Sequence, residues 1–241
     1  MRVFGHRGSP GFPRFGENTL TSFRKALDAG AAGIELDVRR CGDGTIVVIH
    51  DATIDRTTNG AGPVSGLSYA QLSRFDAGHG DSIPRLDAVL DDVGPRGITN
   101  IELKEFGMAT EIVRLIVERK LEDRVIVSAF DGPDNAADSN AKWVELEQFG
   151  SLPTALLCKK STLERIGCKG LVDAVRQHGA NAIHAAANCV TSELLDLGQR
   201  HGIPVRVWTI NNPSEALRWR DLGIEAIFSD SPAACLAALA P

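Results

Sequence analysis

Four ionisable residues stand where a buried strand should be apolar. Glu35 and Asp37 interrupt the run Gly33–Val38 two residues apart, and Glu102 and Lys104 interrupt Asn100–Lys104 in the same way. A two-residue spacing on a strand puts both side chains on one face. With both pairs turned inward at one end of a sheet, three carboxylates converge on a single ammonium. Such a cluster repels itself, and a hard divalent cation is its usual partner. Oxygen ligands without cysteine and with few histidines favour Mg²⁺ or Ca²⁺ over Zn²⁺. The alternative is a set of rim ion pairs made with Arg39, Arg40 or Lys104. Two histidines join the group. His6, followed by Arg7-Gly8, and His50, followed by Asp51, each end an apolar run. A pair of imidazoles near a metal site suits general acid and base catalysis.

The remaining histidines have weaker contexts. His178 and His201 precede glycines at helix ends, where a cation suits the helix dipole. His184 ends a strand and reaches toward the same mouth, but no neighbour in sequence assigns it a role, and His79 has no distinctive setting.

Eight apolar runs must position these groups: Arg2–Gly5, Gly33–Val38, Thr99–Lys104, Arg124–Ser128, Thr154–Cys158, Asn181–His184, Pro204–Trp208 and Glu225–Phe228. Amphipathic stretches separate them, which predicts parallel strands covered by helices. Glu17-Asn18-Thr19 opens one helix that Gly30 closes, Thr191 and Gly202 bracket another, and Asn212-Pro213 starts a third that Gly223 ends. Eight strand and helix pairs in 241 residues predict a (β/α)8 TIM barrel, with a doubly wound open sheet as the competitor. Thr45–His50 adds an extra strand after the second one. The segment 51–82 then reads as a polar, glycine-rich insertion without its own core, and Pro84–Val93 as a helix. The whole of 1–241 is expected to form one domain.

Composition narrows the function further. A hydrophobic content of 43% with 24% charged residues describes an ordinary globular chain. A net charge of −5 argues against a nucleic-acid surface. The five cysteines are scattered, with no CxxC or Cys/His cluster, which argues against a disulfide framework or a zinc site and predicts a reduced, cytoplasmic setting. No apolar run has the length of a membrane span.

Several short motifs occur in a telling order: His6-Arg7-Gly8, Glu17-Asn18-Thr19, Glu35-Leu36-Asp37, His50-Asp51 with Arg56-Thr57-Thr58, Ile83-Pro84 with Leu86, Ile101-Glu102-Leu103-Lys104, and Val207-Trp208-Thr209-Ile210-Asn211. Together they resemble the glycerophosphodiester phosphodiesterases over almost the whole chain. The resemblance implies a (β/α)8 barrel with an insertion after its second strand. It implies metal ligation by Glu35, Asp37 and Glu102, acid–base work by His6 and His50, and phosphate contacts by Arg7 and Lys104. Trp208 becomes an apolar wall at the glycerol end of the substrate, or a piece of barrel core. The implied reaction is metal-dependent hydrolysis of a small-molecule glycerophosphodiester to sn-glycerol 3-phosphate and an alcohol. A lysophospholipase D-like enzyme and a catalytically inactive phosphoester-binding barrel are the alternatives. Three features depart from the family pattern. The stretch containing Pro10, Pro13 and Phe15 is longer than usual, Gly16 replaces a proline, and Arg85 and Asp87 replace the commoner threonine and glutamate.

Overall fold

A computed structural model describes residues 1–10, 16–132 and 141–240. The long stretch around Pro13 and Phe15 therefore lies outside the described residues. In chain order the elements are β1 (Arg2–His6), α1 (Leu20–Asp28), β2 (Gly33–Arg40), β3 (Ile46–Val48), α2 (Tyr69–Leu72), α3 (Leu86–Asp92), β4 (Ile98–Leu103), α4 (Ala109–Glu118), β5 (Val125–Ala129), α5 (Ala141–Leu146), β6 (Thr154–Cys158), α6 (Lys160–Gln177), β7 (Ala182–Ala186), α7 (Ser192–His201), β8 (Val205–Trp208), α8 (Pro213–Asp221), β9 (Ala226–Ser229) and α9 (Pro232–Leu239).

Eight of the strands pair in parallel, and β1 pairs with both β2 and β9, so the sheet closes on itself. Closure excludes the open doubly wound sheet and makes the fold a (β/α)8 barrel. The remaining strand, β3, runs antiparallel to β2 as an appendage to the barrel, with an isolated bridge from Val47 to Arg85 on its other side.

Local chemistry accounts for the helix boundaries. The Thr19 side chain accepts from the Ser22 backbone N–H, Thr191 from Leu194, and Asn212 from Ser214 with Pro213 in the first turn. Each accepts from one of the backbone N–H donors that a helix start leaves unpaired. Gly202 takes the left-handed conformation at the end of α7. Alternation along β2 sorts its side chains: Ile34, Leu36 and Val38 join the main core with Phe23 of α1 and Leu90 of α3, while Glu35 turns into the barrel.

The insertion differs from its expected lack of a core. Ile54, Val64, Leu72 and Ala77 bury together against Cys41, Val47, Ile49 and Ile83. These anchors are widely spaced among polar residues, so no periodic stretch reveals them in sequence. The insertion also carries the short helix α2, opened by a capping box between Ser68 and Gln71.

Candidate active site

The register of β2 and β4 assembles the acidic cluster. Glu35 lies beside Asn100, and Asp37 beside Glu102, on neighbouring parallel strands. Glu35, Asp37 and Glu102 each offer a carboxylate oxygen, and these atoms lie within 4.8 Å of one another. All three residues are buried. Lys104 follows directly after β4, with its Nζ 3.0 Å from Asp37 Oδ1 and in contact with Glu102. Arg7 faces the cluster from the end of β1. Its backbone N–H donates to Glu35 Oε2 at 2.9 Å, and its Nε sits 3.4 Å from Asp37 Oδ2. Arg7 holds a positive φ of 54°, and the turn that follows needs glycine at position 8. There φ is +90°, and a Cβ would lie 2.2 Å from the Ser22 hydroxyl.

The electrostatics divide the three acids. Burial pushes Glu35 well above the usual carboxyl range, with the neighbouring Asp37 and Glu102 adding to the shift. Burial also opposes ionisation of Asp37, but Lys104, Arg7 and His50 outweigh it and hold this carboxylate well below its ordinary value. The rim ion-pair alternative is met in part, since Lys104 does pair with two of the acids. Arg39 and Arg40 instead bind Glu105 and Glu111 outside the cluster. Glu35 Oε1 remains buried without a hydrogen-bond partner. That orphaned oxygen, in an all-oxygen donor set whose other two members share one ammonium, fits a hard divalent cation.

Both histidines flank this cluster. His6 Nδ1 is 2.7 Å from Asp230 Oδ1, and its Nε2 lies 3.9 Å from Glu35 Oε2. Asp230 is held in turn by Asn211, whose Nδ2 donates at 2.7 Å. His50 Nδ1 is 2.6 Å from Asp51 Oδ1. Asp51 accepts from Arg56 Nε at 2.6 Å, and Arg56 reaches on to the buried Glu17 at 2.7 Å. Glu17 also accepts from Arg7 Nη1 at 2.9 Å. The chain His50–Asp51–Arg56–Glu17–Arg7 thus ties the insertion to the C-terminal end of β1. In both histidines a carboxylate on Nδ1 fixes the ring and leaves Nε2 toward the cavity. Burial, helped by Lys104 and Arg7, pushes the His50 pKa below the ordinary imidazole value despite Asp37 and Asp51. Arg56 leads the effects that lower Asp51, to about 2.

A cavity of about 250 Å³ opens between these groups, and it is lined by His6, Arg7, Glu35, His50, Glu102, Lys104 and Trp208. The residues proposed for chemistry therefore meet at one place, with Asp37 outside the cavity lining but within the carboxylate cluster. Trp208 both lines the cavity and packs on the core. It meets Phe130 edge-on at 5.8 Å, and packs on the barrel-floor residues Phe4 and Phe228. Asp230 is the functional residue the sequence reading missed. Its signal was an acid directly after the last barrel strand, in Ser229-Asp230-Ser231-Pro232. Glu17, Asp51 and Arg56 were visible as motif residues but not as one network. His178 ends α6 as expected, although it is buried and pairs with Glu147.

Comparisons with known proteins agree with this geometry. The family model described as the glycerophosphoryl diester phosphodiesterase family matches residues 6–234. A glycerophosphodiester phosphodiesterase of Caldanaerobacter subterraneus is 30% identical, covering 95% of this chain and 94% of its own. The crystal structure of a glycerophosphodiester phosphodiesterase from Thermotoga maritima superimposes with a TM-score of 0.80 at 27% identity, covering 99% of this chain and 97% of that one. An Oleispira antarctica phosphodiesterase, solved with the product sn-glycerol-3-phosphate, shares the fold at 24% identity with a TM-score of 0.78, covering 99% and 96% of the two chains. The family match spans nearly the whole length and includes every site residue from His6 to Asp230, so this chain belongs to the glycerophosphoryl diester phosphodiesterase family.

Proposed function

We propose that the chain hydrolyses glycerophosphodiesters to sn-glycerol 3-phosphate and a free alcohol, with Glu35, Asp37 and Glu102 holding a Mg²⁺ or Ca²⁺ ion. The observation that carries this reading is the convergence of three buried carboxylates, two cations and two carboxylate-braced histidines on one cavity. A bound divalent cation supplies Lewis-acid stabilisation for charge on the phosphate. The chain's own residues supply the rest. Arg7 and Lys104 face the cavity and neutralise phosphate oxygens as their charge grows. One histidine takes the proton of the nucleophile, and the other gives a proton to the alcohol oxygen as its bond to phosphorus breaks. The proton inventory is the same whether a water or the adjacent glycerol hydroxyl attacks.

The two braces support opposite roles. Asp230 pairs with Nδ1 of His6 and accepts from the neutral amide of Asn211. The charge of Asp51 is shared with Arg56, and burial favours a neutral His50. His50 is then the base and His6 the acid. Trp208 supplies an apolar wall for the glycerol.

In this reading residues 1–241 act as one catalytic domain, and the insertion at about 51–82 controls access through Arg56. No helix among the described residues is long and apolar enough to cross a membrane. All five cysteines are free and buried, which supports a reducing, cytoplasmic setting. The direct test follows release of glycerol 3-phosphate from glycerophosphocholine, glycerophosphoglycerol and a lyso-lipid, with added metal and with chelator. Metal-dependent release from the first two is expected. Turnover of the lyso-lipid alone, or none at all, would sink the reading.

A further inference from the structure

Two buried polar residues of the cavity lining have no part in the chemistry above and each carries an unpaired polar atom. His184 on β7 and Asn100 on β4 both line the cavity, with relative exposures of 0% and 1%. Arg206 Nη1 lies 3.1 Å from His184 Nε2. A guanidinium only donates, so Nε2 must be the unprotonated acceptor and the ring proton resides on Nδ1. Burial, aided by the Arg206 charge, pushes the imidazole pKa well below its ordinary value, so the ring stays neutral in this tautomer. Its Nδ1–H donor has no hydrogen-bond partner. Asn100 donates from Nδ2 to Ser128 Oγ at 3.0 Å, which leaves Oδ1 as an acceptor that also lacks a partner.

Unpaired polar atoms are rare in a native core, and those at a cavity wall ask what completes them. A hydroxyl suits either atom, accepting through its oxygen at His184 and donating its proton at Asn100. A phosphate or carboxylate oxygen would set acceptor against acceptor at Asn100, and an ammonium would set donor against donor at His184. The walls nearby suit the carbon skeleton of a small polyol: Leu157 and Phe228 line the same cavity, and the Phe228 ring lies 4.9 Å from the His184 ring. Trp208 Nε1 donates to the His184 backbone oxygen at 3.0 Å, which fixes the apolar wall to the strand that carries the donor.

We propose that this floor is a hydroxyl-reading subsite, in which His184 Nδ1–H and Asn100 Oδ1 take the free hydroxyls of the substrate's glycerol. The inference rests on the glycerophosphodiester reading and sharpens it, because an esterified oxygen has no proton to give Asn100. Deacylated diesters are selected by hydrogen bonding as well as by size.

The test crosses a protein change with a substrate change. His184→Gln places an amide oxygen near the former Nε2, keeping an acceptor for Arg206, and removes the Nδ1 donor. Wild type and variant are compared on glycerophosphocholine and on two analogues, each lacking one glycerol hydroxyl. In the wild type, removal of at least one hydroxyl should lower kcat/KM by about 10- to 100-fold. In the variant that discrimination should shrink below about threefold, with the loss falling on the intact substrate. An equal decline on all three substrates would assign His184 a purely structural role and overturn the proposal. A second readout needs no variant. The His184 Nδ1–H proton resonance of ¹⁵N-labelled protein should move on addition of glycerol 3-phosphate and stay in place with inorganic phosphate. No movement at saturating glycerol 3-phosphate overturns the proposal. A wild type that cleaves no glycerophosphodiester would instead bring down the functional reading, and this subsite with it.

Discussion

Glu35→Gln should make the metal-free protein more stable while removing its response to metal. Glu35 Oε2 accepts the Arg7 backbone N–H at 2.9 Å, its Oε1 is buried and unpaired, and two further carboxylates lie within the same 4.8 Å cluster. In glutamine the amide oxygen keeps the Arg7 contact, and the amide N–H₂ faces those carboxylates in place of a repelling charge. The pKa of Glu35 is raised in the folded state, so its favourable contribution is complete below the unfolded value of about 4.3 and is lost as pH rises through the folded value. Without metal, wild type and variant should therefore melt alike near pH 4, and the variant should melt higher at pH 8. With metal at about 100 times its dissociation constant, the wild type gains about 2.7 kcal/mol. For a chain of this size that is an upward Tm shift of about 5–11 °C. The variant, with one of three anionic ligands gone, should show less than half of that shift. Calorimetry in chelator and in titrated Mg²⁺ or Ca²⁺ reads both effects. A metal-free variant that is less stable than wild type at pH 8, or one that keeps the full metal shift, would refute the reasoning.

Lys104→Met removes the ammonium that touches Asp37 and Glu102 while keeping most of the volume. Loss of its contact to the phosphate should cost about 2–4 kcal/mol, or about 30- to 1000-fold in kcat/KM, and a fall of less than about threefold would contradict the role. His6→Ala and His50→Ala should each slow turnover by about 10²–10⁴, with losses that do not multiply in the double variant. A substrate with a nitrophenolate leaving group should rescue only the His6 variant, and rescue of the His50 variant instead would reverse the assignment. Arg56→Met cuts the link between Asp51 and Glu17. Its kcat pH profile should shift while the melting temperature moves by only a few degrees, and an unchanged profile would make the chain merely structural. Leu72→Ala opens the small core of the insertion, and should cost about 2–5 kcal/mol locally. Its effect should appear as a higher KM, and a lowered kcat at constant KM would count against an access role.

What the sequence determined by itself was everything that depends on a few neighbouring residues. The pairs Glu35/Asp37 and Glu102/Lys104 are legible because strand geometry fixes the face of each side chain within two residues. The caps at Thr19, Thr191 and Asn212 are legible because a helix start is closed by the next two or three residues. The eight strands follow from apolar runs, and the site's location follows from where those runs end. The tertiary structure alone decided whatever depends on closure and register. His6 and Asp230 are 224 residues apart in the chain and meet only because β1 pairs with β9. The alignment of Asp37 with Glu102 is a property of the β2–β4 register, which no local pattern states. The insertion's core hid in sequence because its anchors are scattered, and Arg56 found Glu17 because the insertion folds back over the mouth. The unpaired atoms of His184 and Asn100 belong to the same class: hydrogen-bond completion is counted in three dimensions, after every neighbour has taken its place.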